Sequence, residues 1–211
     1  MRRAVRLLTA ALACVAVAAC SRGPTHAPLP RGAVVLAFGD SVTHGTGAGN
    51  DEDYPSRLAR LTGWEVHNHG IPGDTAVNAR GRIQAALDET RPALVIVELG
   101  GNDFLRRQSE ATVKESLRAI VRAAKRDGRP VALVGVPRLS LVGAAVGALS
   151  DAPLYEELAD EENLVLIEDV FSDILSTPDL RADAIHPNAQ GYERLAAGIA
   201  AALKESGLIA R

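Results

Sequence analysis

Short apolar runs alternate with amphipathic stretches along almost the whole of this chain. VVLAF (34–38), WEVHN (64–68), ALVIVEL (93–99), PVALVGV (130–136) and NLVLI (163–167) read as five strands. The third and fourth are apolar nearly throughout, as strands buried on both faces of a parallel sheet must be. Helical patterns fill the gaps. Tyr54 to Leu61 makes a short one, and Asp74 is placed to cap a helix carrying Ala79, Ile83 and Leu87. Ser109 caps a longer one with Val113, Leu117, Ile120 and Ala124 on one face, stopped at Gly128. Leu154 to Glu162 follows, and a last helix starts after Pro187 with Tyr192, Leu195, Ala196, Ile199 and Leu203 inward. Strand and helix in regular succession predict an α/β fold with a five-stranded parallel sheet between helical layers. The stretch 139–151 fits neither period.

In an open parallel sheet, ligands bind beyond the carboxyl ends of the strands. Three polar clusters fall there: Gly39-Asp40-Ser41 after the first strand, residues 68–75 (NHGIPGDT) after the second, and Gly100 to Asp103 (GGND) after the third. A fourth, residues 183–187 (DAIHP), precedes the last helix. Singly, each is explained as a turn or a cap. Together they hold the parts of an acyl-transfer site. Ser41 is a weak nucleophile until a base takes its proton, and His186 suits that work near neutral pH. Asp183, three residues earlier, would touch the imidazole from the same face of one helical turn. The backbone N–H groups of Ser41 and Gly73 and the amide of Asn102 could meet a developing oxyanion.

The order GDS, GDT, GGND and DAIHP resembles the SGNH hydrolases, the GDSL esterase/lipase family, over the span from Val34 to about Leu203. The fuller motifs are similar to the bacterial arylesterase, lysophospholipase and thioesterase I branch: Ala37 to Ser41, Tyr54-Pro55, Asn68 to Thr75, Glu98 to Asp103 and Ile185 to Asn188. The resemblance implies a three-layer, flavodoxin-like α/β/α sandwich. It also implies Ser41 as nucleophile, His186 as base, Asp183 as its orienter, and Ser41, Gly73 and Asn102 as the oxyanion hole. His44 and the small apolar run Val142 to Leu149 depart from the branch, and both bear on substrate preference. Thr43 stands where the G-x-S-x-G elbow of the α/β-hydrolases has its second Gly.

The N-terminus has a different character. A basic start with Arg2, Arg3 and Arg6, an apolar run and small residues over 1–19 have the layout of a secretory signal peptide. Val17-Ala18-Ala19-Cys20 resembles the lipobox of bacterial lipoproteins, which makes Cys20 the expected lipidation site and the membrane a partner through a lipid anchor. Residues 21–32, rich in Pro, read as a flexible tether, leaving 33–211 as one hydrolase domain. Both Cys lie within the first 20 residues, so the domain forms no disulfide. Without the leader, 20 Lys and Arg face 26 Asp and Glu, a formal charge of −6 and no footprint for nucleic acid.

The expectation is an exported, lipid-anchored serine esterase for aryl, short-acyl or lysophospholipid esters, needing no cofactor and no obligate protein partner. His67 and His69 share one face of the second strand near His44, but no matching Cys or carboxylate spacing supports a metal there. An alternative is a carbohydrate or cell-wall O-acetylesterase, for which Tyr54, Trp64 and Phe104 are the aromatic candidates. A non-catalytic binding lipoprotein on the same scaffold is a third reading, weakened by the presence of Ser41, His186 and Asn102 together.

Overall fold

The computed structural model describes residues 23–138 and 149–210. Cys20, the expected signal peptide and most of the stretch 139–151 lie outside the described residues. Five strands form one parallel sheet: β1 (Val34–Gly39), β2 (Glu65–Gly70), β3 (Leu94–Glu98), β4 (Val131–Val134) and β5 (Val165–Ile167), in the order β2-β1-β3-β4-β5. Central β3 and β4 are buried at every residue, which is why their sequences are continuously apolar. Edge strand β2 is only partly covered and is mostly polar, with Glu65 and Asn68 exposed.

Nine α-helices connect the strands: α1 (Ser41–His44), α2 (Tyr54–Thr62), α3 (Ala76–Ala79), α4 (Ile83–Thr90), α5 (Gly101–Leu105), α6 (Glu110–Ala124), α7 (Leu154–Glu162), α8 (Val170–Ser176) and α9 (Ala189–Glu205), counted among the described residues. α2, α8 and α9 pack together on one side of the sheet, and α4, α6 and α7 on the other. The expected inward residues of α6 and α9 are all buried. Ser109 caps α6 by accepting from the Thr112 N–H at 3.2 Å, and Asn188 caps α9 by accepting from Gly191 at 3.0 Å.

Two expectations change. The helix expected from Asp74 is broken in two: Thr75 caps α3 by accepting from the Asn78 N–H at 3.1 Å, and α4 begins only at Ile83. Asp74 instead pairs with Arg82, Nε to Oδ2 at 2.7 Å, which folds the chain back between the two helices. The tether is also shorter than its composition suggests. From His26 onward it is held, with His26 N–H donating to the Ser206 carbonyl at 2.7 Å, Leu29 to Leu208 at 2.9 Å and Gly32 to Gly63 at 2.8 Å. Carbonyls at and just beyond the ends of α9 and α2, left without intrahelical partners, accept these N–H groups and so hold the segment against the domain.

The strand order reverses direction at β1, so the chain leaves β1 and β3 to opposite sides and a crevice opens between their carboxyl ends. The register brings Gly39, Gly70 and Glu98 level at that edge. A Cβ on Gly39 would lie 1.9 Å from the Thr43 hydroxyl and 2.5 Å from the Glu98 carbonyl. Only glycine lets α1 fold back this closely against the strand ends.

Candidate active site

Ser41 opens α1, one residue past the Asp40 that caps it; the Asp40 carboxylate accepts from the Val42 N–H at 3.0 Å. His186 reaches it from the loop before α9: Nε2 lies 2.9 Å from the Ser41 Oγ, and Nδ1 lies 2.8 Å from the Asp183 Oδ2. A carboxylate on Nδ1 holds the proton there, so Nε2 faces the hydroxyl as an acceptor. The Asp183–His186 contact is made as expected, but no helical turn makes it. Asp183 Oδ1 accepts the N–H groups of Ile185 at 2.8 Å and His186 at 2.9 Å, a side-chain turn that leaves Oδ2 for the ring. Burial works against the Asp183 charge. The His186 ring bond, the two backbone N–H groups and the His186 charge outweigh it and hold the carboxyl below the usual carboxylate range. The loop itself is fixed by an antiparallel bridge between Arg181 and Pro187 and by the Asn188 amide donating to the Asp179 carbonyl at 2.8 Å.

Asn102, on α5, donates one amide hydrogen from Nδ2 to Asp40 Oδ2 at 3.0 Å. An amide nitrogen carries two hydrogens, so the second remains for a substrate oxygen. Ser41 and Asn102 share a cleft with His186, walled by Val42, Leu105, Val136, Phe171 and Ile185. Gly73 lies in the turn after β2 and is not among the residues that line this cleft. Its φ of +78° is the left-handed region that favours glycine, and among the described residues no acceptor takes its N–H. Its carbonyl accepts from Arg106 at 2.9 Å, and Asp103 Oδ2 accepts from the Ala76 N–H at 2.8 Å, so α5 holds the Gly73 turn and the start of α3 together.

Beneath Ser41 lies a buried acid pair that the sequence reading did not connect. Glu98 and Asp40 are 1 % and 3 % exposed and hydrogen-bonded to each other. Glu98 Oε2 accepts from the Thr43 hydroxyl at 3.0 Å, which also lies 3.1 Å from the Tyr54 hydroxyl. Burial pushes Asp40 up to about 6, and burial together with the charge of Asp40 pushes Glu98 well above the ordinary range. Both Asp40 oxygens take N–H donors, which favours its ionised form, so the pair holds its proton on Glu98. The only sequence hint was a Glu inside an apolar strand. Arg82 and Arg106 gave no hint at all, because each acts on backbone carbonyls distant in sequence.

His67 bonds Glu65 at 3.0 Å, and burial draws His69 below the ordinary imidazole value. Among the described residues no group of three His, Cys, Asp or Glu is placed to hold a metal ion.

The chain is 29 % identical over 177 residues to esterase TesA of Pseudomonas aeruginosa, covering 81 % of this chain and 87 % of that one. It is also 29 % identical over 159 residues to thioesterase 1/protease 1/lysophospholipase L1 of Escherichia coli, covering 73 % and 75 %. The crystal structure of TesA superposes with a TM-score of 0.71 at 28 % identity, covering 82 % of this chain and 99 % of TesA. That of AlinE4, an SGNH-hydrolase family esterase, does so at 0.63 and 30 %, covering 84 % and 98 %. Residues 37–194 match the GDSL-like lipase/acylhydrolase family, so with its five-stranded parallel sheet and these relatives the chain belongs to that family.

Proposed function

We propose that this protein is a serine esterase that hydrolyses carboxylic esters of small molecules through an acyl-enzyme. The observation that carries the reading is the hydrogen-bonded relay from Asp183 through His186 to the Ser41 hydroxyl. In the first half-reaction, Ser41 Oγ attacks the ester carbonyl while His186 Nε2 takes its proton. Asp183 keeps the imidazole oriented and stabilises its charge. The N–H groups of Ser41 and Gly73 and the free amide hydrogen of Asn102 receive the oxyanion. Collapse of the tetrahedral adduct breaks the ester C–O bond, and His186 returns the proton to the leaving alcohol. Water, deprotonated by His186, then attacks the acyl carbonyl; the acyl-serine bond breaks, His186 returns the proton to Ser41 Oγ and the acid is released.

The apolar wall of the cleft suits an acyl or aryl group, consistent with aryl, short-acyl or lysophospholipid esters. Acetylated carbohydrate is the second substrate reading, but the aromatics that would stack on a sugar are withdrawn. Tyr54 and Trp64 are buried, and Phe104 packs against the core. The relay predicts that Ser41→Ala removes nearly all hydrolysis of p-nitrophenyl acetate, by up to about 10⁶-fold as for a triad acting as a unit. Parental turnover in that variant would end the assignment.

The anchoring proposed for Cys20 rests on its sequence context. Lipid on that residue would tether the domain to the bacterial membrane a few residues before the chain docks at His26. Cys20→Ser is expected to move the protein from the membrane to the soluble fraction, whereas unchanged sedimentation with membranes would refute lipidation.

A further inference from the structure

The two backbone donors of the proposed oxyanion hole come from the first residue of α1 and from the turn after β2, and Gly73 brings no side chain to brace its own. Arg82 supplies the brace. Its Nε donates to Asp74 Oδ2 at 2.7 Å, one Nη to the His69 carbonyl at 2.9 Å and the other to the Gly39 carbonyl at 2.7 Å. Its guanidinium also lies over the Phe38 ring, 4.0 Å from the centroid. The acceptors are not a random set. Gly39 is two residues before Ser41, His69 is the penultimate residue of β2, and Asp74 directly follows Gly73.

We propose that Arg82 is a positioning residue for ester hydrolysis: it sets the spacing between the Ser41 and Gly73 N–H donors by riveting the end of β1, the end of β2 and the Asp74 carboxylate to one planar group. The inference rests on the esterase reading above. Pairing of β1 with β2 already extends to Gly39 and Gly70, so the strands do not need the arginine to stay together. What it adds is the bond to Asp74, beyond the last rung of the ladder. The turn is also restrained by Ile71 N–H donating to the Gly39 carbonyl at 3.1 Å, by Asp74 N–H donating to the Ile71 carbonyl at 3.0 Å and by a solvent-exposed bond from Arg106 to the Gly73 carbonyl, but none of these reaches the Asp74 side chain. Arg82 and Asp74 are mostly buried, with side chains 22 % and 7 % exposed, so this pair is less screened. A planar fork with fixed donor directions suits three simultaneous acceptors; the single ammonium of lysine, a point charge with no fork, cannot reproduce them.

The test is Arg82→Lys in the otherwise native chain, assayed with p-nitrophenyl acetate and with a small alkylboronic acid, whose tetrahedral serine adduct places an oxygen in the oxyanion hole. The expected result is a fall in kcat of about ten- to a hundredfold, since displacing one donor by a fraction of an ångström forfeits part of what its loss would cost. KM should stay within about threefold, because the ground-state ester makes less of that contact. Boronate affinity should fall with kcat/KM. A folded Arg82→Lys protein with parental kcat and boronate affinity would overturn the proposal, as would a lowered melting temperature with unchanged turnover per folded molecule. If Arg82→Lys does not fold, Asp74→Asn, which keeps an acceptor oxygen but weakens the bond, should show a smaller fall in kcat at unchanged KM; parental kcat there would equally overturn it. A Ser41→Ala protein as active as the parent would instead sink the esterase assignment itself.

Discussion

His186 meets Ser41 across 145 residues of chain, and Asn102 meets Asp40 across 62. Each of these side chains was recognisable from its type and from its place just beyond a strand, because few residue types do acyl-transfer chemistry. The meeting of Ser41 with His186 was expected from the sequence; that of Asn102 with Asp40 was not. Asp40 had every mark of a turn residue, yet it turns the Asn102 amide so that one hydrogen is bound and the other meets no acceptor among the described residues. Asn102→Ala should therefore lower kcat by about 10²–10³ while the circular dichroism spectrum stays parental. An unchanged kcat would place the oxyanion donors elsewhere. Glu98 and Asp40 explain why a charged residue interrupts an apolar strand: two carboxyls share one proton beneath the nucleophile, an arrangement visible only once β1 and β3 are side by side.

Among the elements, legibility followed length. α6 and α9 run for 15 and 17 residues, enough turns for the apolar stripe to repeat, and their caps are where the sequence placed them. α5 has five residues and α8 seven, too few to show a period, and neither was foreseen. The break between α3 and α4 was missed for another reason: Ala79, Ile83 and Leu87 keep helical spacing and are all buried, so periodicity alone reads through the interruption. The stripe of α9 is the element on which α2 and α8 rest. Ile199 is wholly buried in it, and Ile199→Ala should destabilise the domain by about 2–5 kcal/mol. That corresponds to a melting temperature lower by several degrees, about 2–4 °C per kcal/mol, with esterase activity per folded molecule unchanged. A shift of under a degree would show that α9 is not bearing on the core as described.

The molecule as a whole should respond to pH through its buried acids. Asp40 and Glu98 hold protons more tightly folded than unfolded, so the folded state binds more protons above the unfolded carboxylate value of about 4. The stabilisation linked to those protons is fully present below that value. It is lost as pH rises through about 6 for Asp40 and higher for Glu98. Asp183 has the opposite sign: its lowered value gives stability present above about 4 and lost as pH falls through its folded value. His26 and His69, drawn below the ordinary imidazole value by burial, act in the opposite direction over part of the range from pH 5 to pH 8. The signature of the acid pair is therefore the difference between proteins: across that range the melting temperature of the parent should fall relative to that of Glu98→Gln, where the pair is gone. Identical slopes in parent and variant would refute the shared proton. By itself the sequence determined the alternation of strands and helices, the burial of the middle strands and the chemical types offered at the carboxyl edge, because these depend on periodicity and on residues a few positions apart. The tertiary structure alone decided which polar groups face one another. Arg82 reaches carbonyls of two strands, Asp40 shares a proton with Glu98, and the supposed tether docks on α9, since such contacts are chosen by the closing of the sheet and leave no local pattern.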